Sequence, residues 1–388
     1  MKDKTLADRN ALLKPVRRVV VKAGSGMLTG NTGLNTKVIN NLSRDICNLR
    51  ENGIEVVLVS SGAVASGLKK LGLTKRPKSI SKKQATAAVG QSSLMMAYEK
   101  AFSRYGKIVA QILITRDDIN NRRRYLNARN TIFTLLSWDI TPIINENDTV
   151  AFDELKFGDN DNLSAMVANM IEANLLINLT DIEGLFNKDP RANKDARLIS
   201  VVEKINSDVI RCAGADPGSL GTGGMASKIK AARKVTLRGI PAIIANGRRP
   251  GVLAAIFNGE DLGTLFLPQE NSFCGRKHWI AFSKTPKGRL VIDRGAADAL
   301  KKNGKSLLPS GIRKVIGDFI RGDSIILLDD DKREIAVGMT NYSSDEIKKI
   351  MGLKSSEIET ILGHKDEDEV IHRDNMAITD GMSDGEIK

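Results

Sequence analysis

Three features of the amino-acid sequence predict a three-layer α/β sandwich with a largely parallel sheet, followed by a smaller β-rich unit. From residue 16 to about 267, short β-branched runs alternate with longer stretches of helical periodicity, the pattern that crossover-connected parallel strands produce. The strand candidates are apolar at nearly every position, as strands buried on both faces are, and do not alternate with polar residues. After Pro268 the runs shorten and are punctuated by glycine and proline, which favours β structure with tight turns.

The predicted strands of the first unit are residues 18–21, 55–59, 108–114, 140–144, 174–179 and 241–245, each too short and too apolar for a surface helix. Residues 35–51, 82–102, 124–138, 162–173 and 226–237 carry apolar side chains at helical spacing and are the covering helices. This assigns residues 14–268 to one domain. Residues 273–277 read as a linker, and 276–365 as a second domain with strands at 279–282, 290–292, 324–328 and 334–338. The segment 366–388 holds eight acidic and two basic side chains and is expected to be a disordered tail.

Composition narrows the function classes. The chain has 388 residues, 41% of them hydrophobic and 27% charged, which suffices for a buried core and excludes the signature of disorder. No run approaches the roughly 20 apolar residues of a membrane span, and the first 15 residues are polar and of mixed charge. A cytoplasmic protein without membrane contact is expected. Cys47, Cys212 and Cys274 are odd in number and far apart, so neither a disulfide framework nor a metal site is expected. The net charge of +13 suggests anionic partners, but it is spread along the main body and does not form the stripe of a nucleic-acid footprint.

In open parallel sheets, ligands bind beyond the carboxyl ends of the strands. Five segments sit there. Lys22-Ala23-Gly24-Ser25-Gly26 ends the first strand with a lysine and a glycine turn; backbone N–H groups and an ammonium suit a polyphosphate, although such turns are equally common without a ligand. Ser60-Ser61-Gly62 follows the second strand and suits either a carboxylate or an ordinary helix cap. Asn145-Glu146-Asn147-Asp148 and Gly158-Asp159-Asn160-Asp161-Asn162 mix donors and acceptors as a zwitterionic amino acid requires, with Asx turns as the plain alternative. Thr180-Asp181 follows a further strand. Gly221-Thr222-Gly223-Gly224-Met225-Ala226-Ser227-Lys228 places a second lysine at a helix start.

Competing signatures are missing. Neither a G-x-x-x-x-G-K-[ST] loop nor a G-x-G-x-x-G opening of a dinucleotide fold occurs. His372-Arg373-Asp374 mimics a protein-kinase catalytic loop, but Thr379 stands where that loop needs asparagine. All three histidines lie from His278 onward, which excludes a histidine-based triad in the first domain.

The five segments, in this order, resemble the amino acid kinase family, over roughly residues 16–364. Gly304-Lys305-Ser306-Leu307-Leu308-Pro309-Ser310-Gly311-Ile312 is similar to a PUA module, a small β-barrel common in RNA-modifying proteins. The resemblance implies ATP-dependent phosphorylation of the γ-carboxylate of L-glutamate, giving L-glutamyl 5-phosphate for proline biosynthesis. It implies catalytic roles for Lys22, Lys228 and Asp161, and a glutamate site at Ser61, Asn145, Asp148 and Asn160. It implies an ATP site at Lys22, Gly24, Gly26, Thr180, Asp181, Thr222, Gly223, Gly224, Met225, Ala226, Ser227 and Lys228. ATP as co-substrate with Mg2+, proline as feedback inhibitor, a dimer or tetramer, and hand-off to a glutamyl phosphate reductase are its further implications. Two rivals remain: a sister kinase acting on N-acetylglutamate, aspartate, carbamate or a nucleoside monophosphate, which shares the phosphate loops, and an RNA-binding protein. The rivals among the kinases are disfavoured by the PUA-like segment and the two Asn/Asp clusters. RNA binding is disfavoured by an aromatic content of 4%.

Overall fold

The computed structural model describes residues 9–30, 33–75, 77–151, 160–213, 224–269, 286–365 and 367–379. They belong to two compact units, divided between Ser272 and Phe273.

The strands of the first unit are β1 (Arg18–Ala23), β2 (Thr29–Gly30), β3 (Gly33–Leu34), β4 (Glu55–Ser60), β5 (Val109–Ile114), β6 (Thr141–Glu146), β7 (Leu175–Thr180), β8 (Val201–Val202), β9 (Ala242–Asn246) and β10 (Thr264–Phe266). Eight of them form one sheet in the order β5-β6-β4-β1-β7-β9-β10-β8. Pairing is parallel from β5 through β9. At the far edge β10 runs antiparallel to β9, and β8 pairs parallel with β10. Neither of these short strands was predictable, because two or three residues leave no period to detect.

Helices cover both faces, and strand parity decides which side chain meets which layer. Val19, Val21 and Ala23 of β1 join one core with Leu58, Ile177 and Leu179, under the helices Thr36–Glu51 and Ile80–Ser103. Val20 joins the other core with Val57, Leu176 and Ile244, under Arg122–Ser137, Asn160–Met170 and Met225–Thr236. The helix expected at 162–173 therefore begins two residues earlier and ends earlier, at Met170. Ala63–Lys70 is an additional helix, too short and too rich in small residues for its apolar spacing to stand out. No helix among the described residues is long and apolar enough to cross a membrane.

The second unit contains β11 (Gly288–Ile292), β12 (Ile312–Ile316), β13 (Ser324–Leu328), β14 (Glu334–Met339) and β15 (Met376–Ile378), in the order β12-β11-β13-β14-β15. Leu290, Ile325, Leu327, Ile335 and Tyr342 form its core with the helix Arg294–Asn303 beside them. The strand expected at 279–282 and the linker at 273–277 lie outside the described residues. One expectation is corrected: a disordered tail from 366 onward does not hold for residues 367–379. β15 pairs antiparallel with β14, and Val370, Ile371 and Met376 are buried in the core. Acidic composition concealed these few apolar residues, which the open edge of β14 captures.

Candidate active site

β1 lies between β4 and β7 in the sheet order, so the chain leaves the carboxyl ends of these strands in opposite directions and opens a crevice. A cleft of about 870 Å³ lies there, lined among others by Lys22, Gly24, Gly26, Ser61, Asn160, Asp161, Thr180, Asp181, Gly224, Met225, Ala226 and Lys228.

Asp161 stands at the cleft's charged centre. Its helix packs on the same face of the sheet that receives the even-numbered side chains of β1, so Lys22 meets it directly. Lys22 Nζ forms an ion pair with Asp161 Oδ1. Lys228 Nζ lies 3.2 Å from Asp161 Oδ2 and donates to the Gly224 carbonyl at 3.1 Å. Ser227 Oγ donates to Asp161 Oδ2 at 2.6 Å, and Asn178 Nδ2 to Oδ1 at 2.8 Å. One carboxylate thus holds two ammonium groups from different elements, and all three side chains are buried.

Burial alone would raise the pKa of Asp161. The fields of Lys22 and Lys228, with the hydrogen bonds from Lys22 and Ser227, outweigh it and hold the carboxyl below its ordinary range. The group is an anion at neutral pH. Since its two oxygens already accept from ammonium, hydroxyl and amide groups, it acts as a fixed counter-charge and is not available as a base.

A second cluster adjoins it. Asn160 Nδ2 lies 2.8 Å from the Ser60 carbonyl, 3.0 Å from Ser61 Oγ and 2.8 Å from Asn145 Oδ1. Asn145 Nδ2 in turn donates to Gln91 Oε1 at 2.8 Å. Below them, Ser60 Oγ and Tyr98 Oη are 2.8 Å apart, and burial raises the Tyr98 phenol despite its hydrogen bond with Ser60. The ends of β4 and β6 and the start of the Asn160–Met170 helix are thereby tied through amide and hydroxyl groups.

The remaining expected residues are distributed as follows. Gly24 N donates to the Leu179 carbonyl at 3.2 Å, which sets the glycine turn against β7. Thr180 Oγ1 donates to Asp181 Oδ1 at 3.2 Å. Asn145 and Asp148 are outside the lining of the 870 Å³ cleft; Asp148 is half-buried in the turn after β6. Gly158, Asp159, Gly221, Thr222 and Gly223 lie outside the described residues.

Sequence reading missed Asn178, Gln91 and Tyr98. Asn178 had a signal, since it is the one polar residue before Thr180 in the apolar run Leu175–Thr180. Gln91 and Tyr98 had none, because nothing in a long helix marks which polar residue faces a site.

The family model of the amino acid kinase family matches residues 17–246, and that of the PUA domain residues 288–362. The chain is similar to proteins named glutamate 5-kinase. That of Syntrophotalea carbinolica is 52% identical over 370 residues, spanning 95% of this chain and 99% of the relative. That of Citrifermentans bemidjiense is 55% identical over 371 residues, spanning 95% and 100%. That of Caldanaerobacter subterraneus subsp. tengcongensis is 52% identical over 362 residues, spanning 93% and 97%. A solved UMP kinase from Bacillus anthracis aligns with a TM-score of 0.47 and 21% identity, covering 66% of this chain and 97% of that one.

Proposed function

Because this chain belongs to the amino acid kinase family, we propose that it transfers the terminal phosphoryl group of ATP to the γ-carboxylate of L-glutamate. The products are L-glutamyl 5-phosphate and ADP, at the opening step of proline biosynthesis. The observation that carries this reading is the Lys22–Asp161–Lys228 triad at the cleft, next to a cluster of neutral amide and hydroxyl groups.

The acceptor carboxylate is ionised at neutral pH, so the reaction needs no general base. Its obstacle is repulsion between that carboxylate and the polyphosphate. Lys22 and Lys228 lie against the β- and γ-phosphates and screen the charge of a loose transition state. Each ammonium contributes about 4 kcal/mol at contact distance with an effective dielectric near 20. Asp161 sets the separation of the two lysines and so places both ammonium groups at the cleft.

Gly26 approaches the phosphates with its backbone N–H, while Gly24, whose N–H is held by the Leu179 carbonyl, lets the chain pass close to them for want of a side chain. Thr180 and Asp181 meet the nucleoside side, together with the helix start at Gly224, Met225, Ala226 and Ser227. Ser61, Asn145, Asp148 and Asn160 take the glutamate, with the Asp148 carboxylate for its ammonium. Mg2+ bound with ATP would neutralise phosphate charge, and Asp161, with both oxygens engaged by Lys22, Lys228, Ser227 and Asn178, would hold it only through the nucleotide.

Family membership also supports a cytoplasmic homo-oligomer, a dimer or tetramer. It supports feedback inhibition by L-proline at the glutamate site and hand-off of the labile acyl phosphate to a reductase.

The test is a hydroxylamine trap: enzyme, ATP, Mg2+ and L-glutamate should yield γ-glutamyl hydroxamate. N-acetylglutamate, aspartate, carbamate and UMP should yield no ADP above background. In the same assay Lys228→Ala should lose about 100- to 1,000-fold in turnover with modest change in glutamate KM. Product from a rival substrate alone, or near-normal turnover of Lys228→Ala, rejects the assignment.

A further inference from the structure

The end of β9 and the turn that follows it, Asn246-Gly247-Arg248, have no role in the transfer, yet they reach both walls of the cleft. Arg248 Nη2 donates to the Gly26 carbonyl at 2.7 Å, across 222 residues of chain. Asn246 Nδ2 donates to Glu183 Oε1 at 2.7 Å, on the stretch that follows Thr180-Asp181. Between these two arms, Gly247 N donates to the Thr180 carbonyl at 2.9 Å, and Arg248 N to Asn246 Oδ1 at 2.9 Å, which fixes the turn itself.

The fit at the middle residue is close. A Cβ on Gly247 would stand 2.0 Å from Met27 Sδ and 2.8 Å from Leu179 Cβ, distances that real side chains do not tolerate. Met27 lines the cleft and follows directly on the glycine turn. The backbone of Gly247 is therefore packed against the foot of the turn whose carbonyl Arg248 holds.

We infer that Asn246, Gly247 and Arg248 form a brace that fixes the spacing between the glycine turn at 24–26 and the wall at 180–185. These are positioning residues for the nucleotide. By occupying the Gly26 carbonyl from outside the cleft, Arg248 fixes the orientation of the peptide that follows Gly26, so that the turn is set before the polyphosphate arrives. The inference rests on the reading of this cleft as the ATP site.

The experiment compares ATP and glutamate kinetics of the wild-type enzyme, Arg248→Ala, Arg248→Lys, Gly247→Ala and the pair Gly247→Ala with Met27→Ala, each checked for its melting temperature. Loss of one exposed hydrogen bond predicts a rise in ATP KM of about three- to tenfold for Arg248→Ala, with glutamate KM unchanged and partial recovery in Arg248→Lys. Gly247→Ala should raise ATP KM further. Removing the Met27 side chain should relieve it in part, because the tightest contact is with that sulfur while the 2.8 Å approach to Leu179 Cβ remains. A brace that merely stabilises the fold would lower the melting temperature and leave the ratio of the two KM values unchanged; that result overturns the inference, as does a Gly247→Ala defect that Met27→Ala fails to relieve. If the wild-type enzyme neither binds nor hydrolyses ATP, both this inference and the reading beneath it fall, whereas an active wild type with an unaffected Arg248→Ala overturns the brace alone.

Discussion

Asp161 illustrates how much one residue settles here, because fold stability and charge placement meet on the same carboxylate. It is 1% exposed, and its partners Lys22 and Lys228 are themselves buried. Asp161→Asn would leave two ammonium groups close together in a site with no anion between them. Breaking a buried pair by removing one partner costs about 3–5 kcal/mol, and that loss should appear in urea unfolding at pH 7. The pH dependence has a definite sign. The carboxyl titrates lower in the folded chain than in the unfolded one, so its contribution is complete above the unfolded value near 4 and declines as pH falls below it. The stability gap between wild type and Asp161→Asn should therefore be constant from pH 5 to 7 and narrow below about pH 4. A gap that stays constant to pH 3 would show that the carboxyl is not held low by its lysines.

At the level of elements, the amide and hydroxyl cluster depends on two helices lying in near contact. Ala63–Lys70 starts immediately after the Ser60-Ser61 turn, and Ile80–Ser103 carries Gln91, the partner of Asn145. They touch through glycine: a Cβ on Gly90 would stand 1.7 Å from the Ala63 carbonyl oxygen, and one on Gly67 1.8 Å from that of Thr86. Gly90→Ala must push the helices apart, with a penalty of about 1–3 kcal/mol typical of overpacking. Since Gln91 is the next residue, the displacement should be felt at Asn145 and Asn160. The expected outcome is a raised glutamate KM with ATP KM little changed, measured in the hydroxamate assay. An equal rise in both would place the Gly67–Gly90 contact in general stability and not in the glutamate side of the site.

Across the whole molecule, what could be read in advance followed from local periodicity. Six strands were visible as apolar runs, although the one expected at 108–114 is a partly exposed edge strand and not a buried one, and the residues at or just past their carboxyl ends, Lys22, Ser61, Asn145 and Thr180, could be located because a parallel sheet exposes its chemistry there. What was hidden is what only folding brings together: Gln91 beneath Asn145, Asn178 on Asp161, and Arg248 on the Gly26 carbonyl. The segment after 366 was misjudged for the complementary reason, since net charge describes a surface and says nothing of a few apolar side chains that find a groove. Val370, Ile371 and Met376 are at most 3% exposed. Leu307 and Val370 donate backbone hydrogen bonds to Ile371 O and Leu307 O, both at 2.8 Å, while Met376–Ile378 adds the fifth strand of the sheet. Fully burying one such side chain stabilises by about 1.5–3 kcal/mol, so a chain ending at residue 366 should lose much of the second unit's stability. Calorimetry of that truncated chain should show the transition belonging to the second unit shifted down by many degrees or abolished, with the transition of the first unit still present. If both transitions remain where they are in the full chain, residues 367–379 are dispensable to the sheet, and the pairing of β15 with β14 has no energetic weight.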